Sequence, residues 1–99
     1  MIVVYTESSF QSLEEITDIL LKHYSVKKVN SIRVKILDKA ERLKLFSEQG
    51  QIEPNLISLD KKHRYILEKH TKIIYRIIND TVIVTDFFDT RQNPKKMKG

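Results

Sequence analysis

Apolar and polar positions alternate most regularly near the end of the chain, in HRYILEKHTKIIYRIINDTVIVTDFFDTRQNP, residues 63–94. Three runs, 64–68, 72–78 and 82–89, are rich in β-branched and aromatic residues, which predicts three strands. Asn79-Asp80 predicts a two-residue type I′ hairpin between the last two, because Asn and Asp tolerate the positive φ that this turn demands. The resulting register sets Ile78 opposite Thr81, Arg76 opposite Ile83, Ile74 opposite Thr85 and Lys72 opposite Phe87. One face then carries Lys72, Arg76 and Thr85, and the other Ile73, Tyr75, Ile77, Val82 and Val84. The second face is expected to be dry.

Upstream, the short apolar run 2–5 predicts a first strand that pairs with this sheet, since a lone strand leaves its backbone groups unsatisfied. Ser8, Ser9 and Ser12 offer N-caps, with Ser12 and Glu15 at capping-box spacing, for a helix that aligns Leu13, Ile16, Ile19, Leu20 and Tyr24. Ser25 caps a second helix with Val29, Ile32, Ile36, Ala40, Leu43 and Phe46 at spacings of three and four, ended by Gly50. Residues 49–62 read as a loop tacked to the core by Leu56, Ile57 and Leu59. The fold class is therefore α+β: a short N-terminal strand, a two-helix hairpin covering the dry face, and a three-strand antiparallel meander in one twisted sheet.

Composition narrows this picture. Ninety-nine residues, 40% of them hydrophobic, suit one core and one domain, read as 1–94 followed by a basic, mobile tail, 95–99. There is no cysteine, and three histidines have no zinc-like spacing, so no disulfide framework, metal or cofactor is expected. No signal peptide or membrane-length apolar run is visible, and a cytoplasmic protein is expected. The net charge of +5 is unevenly placed: residues 1–60 hold 8 Lys/Arg against 9 Asp/Glu, and residues 61–99 hold 10 against 4. The sheet half is thus basic, a field that attracts nucleic acid or an acidic protein segment.

Candidate chemistry lies in that half. A three-residue turn, Lys69-His70-Thr71, sets Glu68 opposite Lys72, Ile66 opposite Ile74 and Arg64 opposite Arg76. Two arginines face to face repel each other unless an anion or a carboxylate lies between them. With Lys72 on the same face and Arg91 approaching from the strand end, the group is a candidate phosphate cradle. Ion pairs to Glu68, Asp86 or Asp89, or a two-residue turn at His70-Thr71 that sets Tyr65 opposite Arg76, are the competing readings. Candidate acids and bases are His63, His70, Glu53 and Asp89, with both histidines read as exposed loop residues. Tyr65 and Tyr75 fall on the dry face and are read as core. No P-loop, Ser/His/Asp order, metal motif or basic recognition helix is present.

The Arg-Tyr strand, the Ile-x-Tyr-Arg-Ile strand and the Arg-Gln-Asn-Pro ending resemble the RelE/ParE superfamily, the small toxins of bacterial type II toxin-antitoxin systems, also called plasmid stabilisation proteins. The element order agrees over most of the chain. The resemblance implies a growth inhibitor held inactive by an acidic, partly disordered antitoxin. RelE-like members cut messenger RNA on the ribosome; ParE-like members poison DNA gyrase. It matches Arg64 and Arg76 to the family's sheet arginines and Arg91 to its tail arginine. Where RNA-cutting members often carry His or Tyr after the last strand, this chain has Asp89-Thr90, and Ser47 stands where proline often precedes the glycine.

The expectation is a ribosome-dependent endoribonuclease (mRNA interferase). Arg64, Arg76 and Arg91 would stabilise the transition state of 2′-hydroxyl attack, with Lys72 and Asp89 moving protons. The alternatives are a non-catalytic ParE-like gyrase inhibitor and an inactive module that binds nucleic acid or antitoxin. The expected partners are an acidic antitoxin and either ribosome and mRNA or gyrase, with no membrane and no small-molecule substrate.

Overall fold

A computed structural model describes residues 1–99. The chain runs β1 (Ile2–Tyr5), α1 (Glu7–Leu21), α2 (Val26–Glu41), a 3-10 turn (Arg42–Lys44), β2 (Gln51–Ile52), a 3-10 helix (Pro54–Leu59), β3 (Arg64–Glu68), β4 (Thr71–Ile78), β5 (Thr81–Asp89) and a 3-10 turn (Pro94–Lys96). One five-stranded sheet has the order β1-β5-β4-β3-β2, with β1 parallel to β5 and the other pairs antiparallel. The α+β architecture is as the sequence predicts, with β2 as an added edge strand inside the expected loop. No helix is long and apolar enough to cross a membrane.

The helices begin where small polar residues accept from their first amides. Ser25 Oγ accepts from Lys28 N at 3.2 Å, as expected. α1 starts earlier than the serines suggest: Thr6, in extended backbone, accepts from Ser9 N at 3.1 Å. Ser9 and Ser12 are therefore buried within α1. Ile19 and Tyr24, expected on its apolar side, and Phe46, expected on that of α2, are exposed.

Leu13, Ile16, Ile36, Ala40 and Leu43 close over Ile66, Ile73, Tyr75, Val82, Val84 and Phe87 to form the main core. The predicted dry face is thus the helix-covered face. Tyr5 Oη donates to Glu41 Oε2 at 2.5 Å and joins β1 to the end of α2.

Two register differences decide what the other face holds. Asn79 and Asp80 take φ of 46° and 58°, and Ile78 pairs with Thr81 and Arg76 with Ile83, as predicted. A bulge follows: Tyr75 pairs with Val84 but Ile74 with Asp86, so Thr85 is the extra residue. Phe87, expected beside Lys72 on the wetter face, turns into the helix-covered core, where it stacks on Tyr5 at 6.2 Å. Asp86 takes the place across from Ile74.

In the first hairpin the turn is Lys69-His70, with Lys69 at φ 53°, and Glu68 pairs with Thr71. Tyr65 then pairs with Ile74 and Arg64 with Tyr75. This one-residue difference from the expected loop moves Tyr65 off the helix-covered face and Arg64 onto it.

The second face is not open. Leu56, from the Pro54–Leu59 helix, and Met97 pack with Ile74 and Phe88, with Tyr65 alongside. The tail expected to be mobile is docked: Met97 is buried, Lys98 N donates to Asp86 Oδ2 at 3.0 Å, and Thr85 Oγ1 donates to Lys98 O at 3.2 Å. Its apolar Met97 supplies the anchor that its basic composition obscures.

Candidate functional site

The five expected catalytic residues, Arg64, Lys72, Arg76, Asp89 and Arg91, fall in three places. Arg64 lies against the loop before β2, where its Nη1 donates to Gly50 O at 2.7 Å. Beside it the fully buried Tyr75 donates from its hydroxyl to Ser47 O at 2.6 Å and accepts from Gly50 N at 2.9 Å. Burial is the main cause of the raised pKa of this hydroxyl. Arg64 and Tyr75 together clamp a loop, and Arg64 does not face Arg76.

Lys72 and Arg76 share the face turned away from the helices, two positions either side of Ile74 on β4. Lys72 Nζ is 2.7 Å from Oε1 of Glu53, whose side chain is fully buried, and 4.2 Å from the Tyr65 ring centroid. The other oxygen of Glu53 caps the Pro54–Leu59 helix, accepting from Asn55 N and Nδ2 at 3.0 Å each. Glu53, a candidate acid or base by sequence, is thus the partner of Lys72. The half-buried Arg76 has an Nε with no partner.

His63, expected in an exposed loop, is 2% exposed, and neither ring nitrogen has a partner. Burial lowers its pKa most, and the charges of Arg76 and then Lys61 add to the effect. Gly99, at the far end of the chain, lies against its ring, a neighbour of which Lys61-Lys62-His63 carries no local signal.

His63 gives stability a pH dependence. Below the ordinary histidine pKa of about 6.5 the unfolded chain binds the proton that the folded chain resists, so stability falls as pH drops through that value toward the lower folded one. Asp86 acts with the opposite sign further into acid. Burial raises its pKa, partly offset by polar neighbours including the Lys98 amide, so its folded form takes up a proton first. Urea midpoints are expected to fall between about pH 7.5 and about pH 5.5 in the wild type, and to fall less in His63→Phe.

Asp89 and Arg91 lie at the opposite end of β4 from Arg76, since Asp89 pairs with Thr71. Arg91 Nη2 is 2.7 Å from Asp89 Oδ2, and Nε and the backbone amide donate to Oδ1 at 3.0 and 2.9 Å. The guanidinium holds the Asp89 carboxyl below the usual carboxylate range, which makes it a poor proton acceptor. Together they edge a groove of about 670 Å³ between the tip of the helical hairpin and the β3–β4 turn. Ile16, Leu20, Ile32 and Ile36 form its apolar part, with Lys28, Lys35, Lys69, His23 and His70 around them. No reading of the sequence placed these helix and turn residues together, because they meet only when the hairpin lies on the sheet.

The chain matches no family model and no curated protein. Among solved structures it is similar to a chain of the "Chromosomal ParDE TA system from P. aeruginosa", with a TM-score of 0.75 and 15% identity over 92% of this chain and 97% of that one. At that identity the likeness is one of fold, and the fold is ParE-like.

Proposed function

We propose that this chain is the toxin of a type II toxin-antitoxin pair, and that it inhibits growth by binding its target, in the manner of ParE-like proteins that act on DNA gyrase, rather than by cutting RNA. The observation that carries this reading is the dispersal of the cations. A phosphoryl transition state needs several free cations aimed at one point. Lys72 is neutralised by Glu53, Arg91 is paired with Asp89, and Arg64 is tied to loop carbonyls. Asp89 is also poorly suited to take a proton from a ribose hydroxyl.

An acidic antitoxin segment suits the basic half of the chain, and the groove beside the helical hairpin supplies apolar anchorage next to cations. The ParE-like fold supports the gyrase reading over the RNA reading. Purified protein is expected to inhibit supercoiling by gyrase, with inhibition relieved by the cognate antitoxin. Unchanged supercoiling at large excess would sink the proposal.

One observation favours ribosome-dependent RNA cleavage instead: His63 is a buried imidazole whose pKa is lowered by burial and then by the charge of Arg76, which keeps it neutral as a base. Primer extension on transcripts from cells expressing the protein separates the two. New 5′ ends that disappear in His63→Gln would favour cleavage; unchanged ends together with inhibited gyrase fit the binding reading.

A further inference from the structure

The loop from Leu45 to Gly50 is held more firmly than a plain connection needs. Leu43, fully buried in the core, anchors its start, and Arg42 O accepts from Leu45 N at 3.0 Å and from Phe46 N at 3.4 Å. Gln49 N closes the next turn on Phe46 O at 3.2 Å. From beneath, the fully buried Tyr75 hydroxyl spans Ser47 O and Gly50 N, and Arg64 donates to Gly50 O. Yet the side chains this frame presents face solvent: Leu45 is 69% exposed, the highest value for a large apolar residue in the chain, and Phe46 is 65% exposed. Single apolar residues on a surface are ordinary. Two adjacent ones on a loop fixed by a buried tyrosine form a preorganised knob, and ordering them in advance lowers the entropy cost of binding. Ile52 pairs with Arg64 and so shares its face of the sheet, adding a third exposed apolar side chain just beyond the loop.

We infer that Leu45 and Phe46 are a docking knob for a protein partner that offers an apolar cleft with an acidic rim. Charge specifies the rim. Arg42 and Lys44, on either side of the buried Leu43, are exposed, and both ion pairs of the chain lie elsewhere. Between Arg42 and Ile52 the only acid is Glu48, and Glu41 before them accepts from the Tyr5 hydroxyl. Neither Leu45 nor Phe46 lines the groove at the hairpin tip, so the knob and the groove offered to an antitoxin are separate surfaces. Arg64 and Tyr75 act here as positioning residues, which set the loop and do not themselves meet the partner. That the partner is the growth target rests on the toxin reading above; the knob itself does not.

The test compares wild type with Leu45→Ser/Phe46→Ser and, as a control of matched exposure, Val26→Ser at the start of α2. All three side chains are exposed, so the urea midpoints should agree with wild type. If the double variant shifts its midpoint, Phe46→Ser alone supplies the same comparison. In the gyrase supercoiling assay the double variant should need at least about ten-fold more protein for half inhibition, and Val26→Ser the same amount as wild type. Equal potency of the double variant overturns the proposal and leaves the gyrase reading intact. If wild type does not inhibit gyrase, that reading fails, and growth arrest on expression decides the knob. Arrest by wild type and Val26→Ser but not by the double variant supports it against another protein target; equal arrest by all three, or by none, overturns it. Sedimentation with vesicles of phosphatidylethanolamine and anionic phosphatidylglycerol tests the other kind of apolar surface. Binding by wild type that is lost in the double variant assigns the knob to lipid and overturns the protein partner.

Discussion

Lys72→Met is expected to lower the unfolding free energy by about 3–5 kcal/mol, read as a lower urea midpoint at unchanged slope. The lysine itself is not the reason. Glu53 has no exposed side-chain surface, and Lys72 is its one cationic partner, at 2.7 Å. Removing the ammonium leaves a carboxylate in a low-dielectric site with only the Asn55 donors. The double variant Lys72→Met/Glu53→Gln should recover most of the loss, because an amide oxygen can still accept from Asn55 and no charge remains buried. If the double variant were as unstable as the single one, the loss would come from packing of the lysine stem over Tyr65 and not from the stranded charge.

Gly50→Ala is expected to cost about 3 kcal/mol, combining overpacking with the loss of a buried hydrogen bond. The glycine is required by closeness and not by backbone angle, since its φ is not positive. A Cβ there would lie 2.8 Å from Tyr75 Cε1, 2.9 Å from the Tyr65 carbonyl oxygen, and closer still to the Tyr75 hydroxyl. The Tyr65 carbonyl belongs to β3, which pairs on both sides, and the Tyr75 ring is fully buried, so neither can move aside. The same hydroxyl links Gly50 N to Ser47 O. Tyr75→Phe should therefore be destabilising by itself, and the two changes together should cost less than their sum, because they break one shared contact. Strict additivity in denaturant unfolding would show that the loop is not held through Tyr75.

The legibility of each turn explains most of the agreement and most of the error. Asn79-Asp80 declares a left-handed turn through residue types that tolerate it, and the strand ends it joins pair as read. Lys69-His70 makes no such declaration, although Lys69 is also left-handed, so a three-residue loop fitted the letters equally well. That single residue separates Arg64 from Arg76, and with it the cradle of arginines. The bulge at Thr85 leaves no mark in the alternation, yet it sends Phe87 into the core and Asp86 beneath the tail. His63 looked like a loop residue because its neighbours are lysines, whereas Gly99, at the far end of the chain, lies against its ring.

By itself the sequence determined the order of the two helices and of β1, β3, β4 and β5, the Ser25 cap, the apolar stripes that meet over Ile73, Tyr75, Ile77, Val82 and Val84, and the α+β class. These follow from periodicity and backbone preference, which neighbouring residues express locally. Only the tertiary structure decided which charges are paired, which face holds Arg64, and that the tail covers the far side of the sheet. A carboxylate or a methionine finds its partner across tens of residues, and a one-residue slip in pairing changes every contact while leaving the local pattern intact.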